Sequence, residues 1–411
     1  MRRRRGIALA LASATAALLV AGVAGGHVVA TATPPDVEGT TSSLVATTGT
    51  PDVAWPVGVG ASAFSVPQLA GAEGADGATA PLPIASIAKL VCALLVLERF
   101  PLADGDSGPS IMLTAPDVAA LGEMRALAAS TLPIADGDVV TQRQLLEASM
   151  LVSAGNASMS LAHWAFGSQE AYVAEATRWL QEEGLEGITV VDASGIGAGN
   201  VATPAALLGL MARVDASPVL RAITGMTQTD LPRLGLVSNT NGALGIAGID
   251  SGKTGSLDES GRTVLVGATV VVGGVDVRIH AALLGVPREV DRDAAIAGLV
   301  ASVAANLRIT DLVAEGAPVA TYAGPWGERV LLHARESASL LLWPGQAVEL
   351  RVTVPPDLAV GEEAAGWIDV VAAGETIRVP VGTRDTLAGP DLGWRLDHAP
   401  EVLGWAIGGR R

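Results

Sequence analysis

The segment Pro83 to Phe100, PIASIAKLVCALLVLERF, constrains this chain more than any other. From Leu90 to Phe100 only Glu98 and Arg99 are charged, and apolar residues cover every face of a helix. A helix that is apolar all round has to be buried, so other elements must wrap around it. Pro83 suits a first helical turn, where its missing N–H has no partner to lose. At the mouth of this helix stand Ser86 and Lys89. Their i, i+3 spacing puts them on one face with Cβ atoms ~5–6 Å apart. A partly desolvated lysine near a helix N-terminus loses its preference for the charged form, so it can act as a base toward Ser86. A serine hydroxyl is a weak nucleophile without such a neighbour. The helix N-terminus also offers backbone N–H groups to a developing oxyanion. Ser-x-x-Lys by itself is a common pattern. Its weight here comes from an amine that interrupts an apolar run, which costs free energy unless the amine is used.

The 411 residues allow two or three domains. The hydrophobic share of 49% is ample for a core, and 3% aromatics means that core is built of Ala, Val and Leu. A net charge of −16 argues against nucleic acid as a partner. The single cysteine, Cys92, excludes an internal disulfide and reads as a small apolar filler. The five histidines have no ligand spacing, so no metal site is expected.

Met1 to Ala32 reads as a targeting segment. Arg2 to Arg5 precede an apolar run from Gly6 to Gly26, and Ala30-Thr31-Ala32 offers an Ala-x-Ala cleavage site. The run is also long enough to span a bilayer. Cleaved signal peptide and retained membrane anchor both fit. Either places the remainder outside the cytoplasm, secreted or held at the outer face of the cytoplasmic membrane.

Residues 33–54, rich in Thr, Ser, Pro and Gly, read as a linker. Val57 to Val59 reads as an edge strand, and Ile111 to Leu113 as a strand-like piece. Helices are expected from Pro116, over Gln142 to Met150 with Thr141 as N-cap, and over Ala157 to Phe166. Others run over Gln169 to Glu183 between Ser168 and Gly184, and from Pro204 to Arg213. Ile188 to Val191 reads as a strand. After Gly245 the period becomes extended: Gly248 to Gly255, Thr263 to Val272 and Val275 to Leu284 read as strands, with Gly273-Gly274 as a hairpin turn. Asp291 to Leu307 is a long amphipathic helix. Helices inserted between early and late strands imply an α+β fold over residues 55–308, an antiparallel sheet flanked by helices. Short alternating pieces over 309–383 imply a small all-β domain. The tail, 384–411, carries Trp394, Trp405 and Arg410-Arg411. It reads as a partly ordered terminus that could dock on the domain or touch a membrane.

Two further segments carry chemistry. In Asp250-Ser251-Gly252-Lys253-Thr254-Gly255-Ser256, Lys253 supplies charge and Thr254 a hydroxyl for an anionic substrate. Gly255 permits close approach of a substrate backbone, and the Ser256 N–H is a candidate oxyanion donor. The competing reading is a turn with a solvated lysine. Ser153-Ala154-Gly155-Asn156 lies between two helical segments. It could pass a proton and bind a substrate amide, or be an ordinary turn.

The order of these segments changes their weight. Ser-x-x-Lys, a Ser/Asn loop about 65 residues on, and Lys-Thr-Gly on a late strand form a known set. Together with VVDASGI and NTNGALGI, they make the chain resemble serine-type D-alanyl-D-alanine carboxypeptidases, the low-molecular-mass penicillin-binding proteins. The resemblance spans about Trp55 to Leu307. It implies a β-lactamase/transpeptidase-like fold with an all-helical subdomain. Ser86 would be the acylated nucleophile, Lys89 its general base, and Ser153 the proton relay to the leaving group. Lys253 and Thr254 would hold the terminal carboxylate, and the amides of Ser86 and Ser256 the oxyanion. The implied substrate is a peptidoglycan stem peptide ending in D-Ala-D-Ala, with β-lactams as covalent inhibitors and no cofactor.

One departure stands out. The middle motif should be Ser-x-Asn, but the ungapped fit leaves Gly155 in the asparagine position, with Asn156 one residue late. The alternative fit keeps Asn156 as the asparagine and puts Ala154 where the serine belongs. Losing one such contact costs ~1–3 kcal/mol, so a weakly active or inactive homologue is the alternative reading. A class A β-lactamase is disfavoured, since no Glu-x-x-Leu-Asn pattern follows the middle motif.

Overall fold

The computed structural model describes residues 21–30, 34, 37–41, 44–47, 49–258, 260–372 and 374–408. Most of the targeting segment, 1–20 and 31–32, and the Arg410-Arg411 end lie outside the described residues. Residues 21–30 are helical, and no described helix is long and apolar enough to cross a membrane. The chain forms two compact units: Gly49–Ile309 with Leu342–Gly345, and the remainder.

The larger unit is built on a five-stranded antiparallel sheet. Its strands are β1 (Ala61–Ser65), β2 (Glu73–Gly77), β3 (Ile249–Leu257), β4 (Gly261–Val272) and β5 (Val275–Val286), in the order β3-β4-β5-β1-β2. β4 and β5 form the expected hairpin, with Gly273 and Gly274 at φ 58° and 87°, which suits a two-residue turn. β3 is an edge strand, so one side is open to a ligand. Val57 to Val59 is not a strand; sheet pairing starts at Ala61, whose partner is Leu284. The expected strand at Ile188 to Val191 is only two residues long, Ile188–Thr189.

The helices are α1 (Ala88–Arg99), α2 (Ala115–Ala126), α3 (Gln142–Met150), α4 (Gly155–Phe166), α5 (Gln169–Glu182), α6 (Pro204–Asp215), α7 (Pro218–Gly225) and α8 (Arg292–Asn306). The side chains of Thr141, Ser168, Thr203 and Asp291 cap α3, α5, α6 and α8, as their sequence positions imply. Residues Ala88 to Leu97 of α1 are all buried, and α3, α4, α5 and α6 pack around it. α6 and α8 pack on the sheet.

A partly buried ion network fixes the start of β3. Arg278 on β5 donates through Nε and Nη2 to Asp215 at the end of α6 (2.7 and 2.6 Å). Its Nη1 donates to Asp250 (2.6 Å). His280 Nε2 lies 2.7 Å from Asp215. Breaking such a pair leaves a desolvated charge, so its geometry is strongly held.

The smaller unit centres on an eight-stranded sheet. Its order is Leu44–Thr47, Ala347–Thr353, Ala365–Ala372, Glu375–Thr383, Arg329–Ala334, Pro318–Ala323, Val37–Thr41 and Asp357–Leu358. Two of these strands come from the segment read as a linker. Its threonines and valines favour extended backbone once a sheet edge is present to pair with. The tail is also more ordered than expected, with helices Leu392–Asp397 and Ala399–Gly408. Trp394 stacks on Trp405 with centroids 5.7 Å apart, and Trp326 meets Trp394 edge-on at 6.3 Å. The rings bury apolar area against one another, and Val402 is buried beside them.

Candidate active site

Ser86 sits in a single 3-10 turn, Ala85–Ile87, between the short strand Leu82–Pro83 and α1. Pro83 therefore ends a strand and does not open the helix. The break is at Ala85, whose φ of 48° is left-handed and unusual for a residue with a Cβ. This turn aims Ser86 into a cavity of about 550 Å3. Gly195 makes the turn possible: a Cβ there would lie 2.1 Å from the Ala85 carbonyl oxygen.

Lys89, in the first turn of α1, is 2% exposed. Its Nζ is 2.7 Å from Ser86 Oγ and donates a short bond to the Ser194 carbonyl. Burial lowers its pKa to about 7, against a smaller opposing pull from Asp192. A neutral amine that donates to Ser194 keeps a lone pair to accept the Ser86 proton. Burial pushes the Cys92 thiol up to about 12, so it stays protonated beside the lysine.

Ser153 closes the other side. It follows α3 with φ 60°, so the turn into α4 presents its hydroxyl to the cavity. Lys253 reaches it from β3, with Nζ 3.0 Å from Ser153 Oγ and 2.8 Å from the Thr254 carbonyl. Thr254 Oγ1 is 3.0 Å from Thr240 Oγ1. Burial, and then the charges of Lys89 and Arg292, hold Lys253 well below the usual lysine range. An arriving anion would favour its protonation. Ser256 is exposed at the cavity edge. Gly255 lies there too, but its missing side chain serves the fold first. A Cβ would stand 2.9 Å from Ala85 Cβ and 3.0 Å from the Ile84 carbonyl, so the close neighbour is the nucleophile turn.

Asn156 is the correction. It is fully buried, its Oδ1 accepting from Leu132 N and its Nδ2 donating to Leu132 O, both at 2.9 Å. Both ends of its amide are satisfied away from the cavity, so the structure does not bring it to the groove with Ser86, Lys89 and Ser153. Being in α4 one residue past Gly155, it is rotated about a quarter-turn off the groove-facing position. Gly155 lines the cavity, and the space for a side chain there is taken by Met124, whose Sδ would be 2.8 Å from a Cβ. Ser153 and Gly155 line the cavity and Asn156 does not.

Three cavity groups carried no role in the sequence reading. Arg292, 12% exposed at its side chain, opens α8 beside Thr254 and donates to the Thr240 carbonyl (3.3 Å). A cation in the first turn of a helix opposes the macrodipole, and that signal was available in the sequence. Ser194 and Gly195 come from the VVDASGI segment. Lys253 and Arg292 place nitrogen donors near Thr254, where an anionic ligand would restore the charge of Lys253. Among the described residues no cluster of three or more His, Cys, Asp or Glu could hold a metal.

The profile of the D-alanyl-D-alanine carboxypeptidase family, peptidase family S11, matches residues 75–287. This chain belongs to that family. No curated protein sequence matches it. Penicillin-binding protein 6B from Escherichia coli aligns with a TM-score of 0.57 and 16% identity, over 83% of this chain and 99% of that one. Penicillin-binding protein 3 from Streptococcus pneumoniae, a peptidoglycan synthesis regulatory factor, aligns with a TM-score of 0.55 and 20% identity, over 80% and 99%. The D-alanyl-D-alanine carboxypeptidase of Mycobacterium tuberculosis aligns with 0.51 and 22%, over 62% and 92%. At these identities the neighbours share the fold, and the family membership rests on the profile. Family S11 comprises penicillin-binding hydrolases that act on peptidoglycan peptides, so the expected fold class and family both hold.

Proposed function

We propose that this chain is an exported serine D-Ala-D-Ala carboxypeptidase that works through an acyl-enzyme on Ser86. The observation carrying this reading is the 2.7 Å contact between Ser86 Oγ and a lysine whose pKa lies near neutrality. Ser86 Oγ attacks the penultimate D-Ala carbonyl while its proton passes to Lys89 Nζ. When the C–N bond breaks, the leaving D-Ala amine takes a proton through Ser153. Water then adds to the ester, and Ser86 regains its proton as the tetrapeptide leaves. Thr254, Lys253 and Arg292 receive the terminal carboxylate, with the substrate lying along the open edge of β3. The amides of Ser86 and Ser256 hold the oxyanion. The apolar run and its flanking arginines support secretion, or retention at the outer face of the cytoplasmic membrane.

A second reading, acylation with little turnover, is favoured by one observation: no asparagine side chain reaches the groove from Gly155 or Asn156. A pentapeptide mimic ending in D-Ala-D-Ala separates the two. Catalytic D-Ala release that is absent in Ser86→Ala supports the carboxypeptidase. Slow acylation by penicillin without D-Ala release supports the second reading. No acylation and no release removes both.

A further inference from the structure

Asp192 does not line the cavity, yet it organises the turn that holds the base. Its Oδ1 accepts from Ser194 N (2.7 Å), Ser194 Oγ (2.7 Å) and Gly195 N (2.6 Å). Its Oδ2 accepts from Gly197 N and Asn200 Nδ2, both at 2.8 Å. Asn200 closes the far side, accepting from Val191 N (2.9 Å). These bonds fix the backbone of 191–200, and that backbone has two tasks at the nucleophile. The Ser194 carbonyl accepts from Lys89 Nζ, and Gly195 packs on the Ala85 carbonyl. A carboxylate accepting this many bonds stays ionised. Burial works to raise its pKa, but the bonds from Ser194, Asn200, Gly197 and Gly195 outweigh that and hold it below the ordinary range.

We infer that Asp192 is the positioning residue of Lys89. It fixes the Ser194 carbonyl that aims the amine, and it supplies the counter-charge to the ammonium formed when Ser86 loses its proton. This rests on the acyl-transfer reading above. The other titratable groups around the amine are identifiable. Lys253 on β3 is held low by burial first and then by the charges of Lys89 and Arg292. Cys92 on α1 and Tyr172 on α5, both fully buried with raised pKa values, stay neutral. Asp192 is the carboxylate acting on Lys89 from this surround.

The test is the pH profile of Asp192→Asn. Acylation by a fluorescent penicillin is followed from pH 5 to 9, and Lys89 is titrated in the free protein by 13Cε NMR, with Lys89→Met assigning the signal. Loss of the counter-charge moves the acidic limb and the NMR midpoint down by about one pH unit. Loosening of the turn lowers the plateau ten- to about a hundredfold. Asp192→Glu keeps the charge with a longer arm, so its plateau falls while its limb stays in place. It carries the test if Asp192→Asn does not fold. An unmoved NMR midpoint in Asp192→Asn, or a full plateau in Asp192→Glu, overturns the inference. If wild-type protein is not acylated but the NMR midpoint shifts, the inference stands and the carboxypeptidase reading falls. If wild type is acylated and Asp192→Asn matches it, the opposite holds.

Discussion

A base buried to this degree costs the fold stability, and the cost can be measured. Lys89 has a pKa of about 7 when folded and 10.5 as an ordinary lysine. Between those values the unfolded chain holds a proton that the folded chain lacks, so stability rises with pH across that window. Above 10.5 the penalty vanishes. Below 7 it is complete: a gap of this size at about 1.4 kcal/mol per pH unit amounts to about 5 kcal/mol. Lys89→Met removes the amine and keeps much of the volume. It also strands the Ser86 hydroxyl and the Ser194 carbonyl, at about 1 kcal/mol each. The variant is therefore expected to be about 3 kcal/mol more stable than wild type at pH 6, with the gain gone by about pH 9.5, and to be unable to acylate. Denaturant unfolding at the two pH values gives the numbers. A Lys89→Met variant less stable than wild type at pH 6, or stabilised equally at both, would refute the picture of a desolvated amine.

Three further outcomes follow from the same contacts. Gly155→Val drives a side chain into Met124 and lowers stability by about 1–3 kcal/mol, and Met124→Ala in the same chain recovers most of it, as thermal unfolding can show. Arg278→Ala leaves Asp215 without its guanidinium and lowers unfolding free energy by about 3 kcal/mol in urea titrations. Arg292→Ala raises KM for a peptide with a free terminal carboxylate about tenfold with kcat held, whereas an amidated peptide shows no such difference.

The legible parts of this fold were those where one residue decides a local outcome. Thr141, Ser168 and Asp291 announce their helices because a side-chain oxygen satisfies a specific orphan N–H. Gly273-Gly274 announces a hairpin because few other residues take that backbone. The Ser86, Lys89 and Lys253 segments stood out because an amine in an apolar run needs a reason. What stayed hidden depended on partners far along the chain. The strands Val37–Thr41 and Leu44–Thr47 form because sheet edges from 318–353 and Asp357–Leu358 are there to pair with them. The tail is helical because three tryptophans meet. Asn156 looked like a site residue by letter, but Leu132, 24 positions earlier, claims both ends of its amide. Asp192 sat in plain view within VVDASGI, yet its importance lies in where the Ser194 carbonyl points, which side-chain patterning does not encode.

The central claim is that Ser86 is an amine-activated nucleophile, and intact-protein mass spectrometry after incubation with benzylpenicillin tests it most directly. One penicilloyl adduct is predicted, mapping to the peptide bearing Ser86, forming faster as pH rises toward neutrality and absent in Ser86→Ala. An unmodified wild-type mass, or an adduct that survives Ser86→Ala, would contradict it.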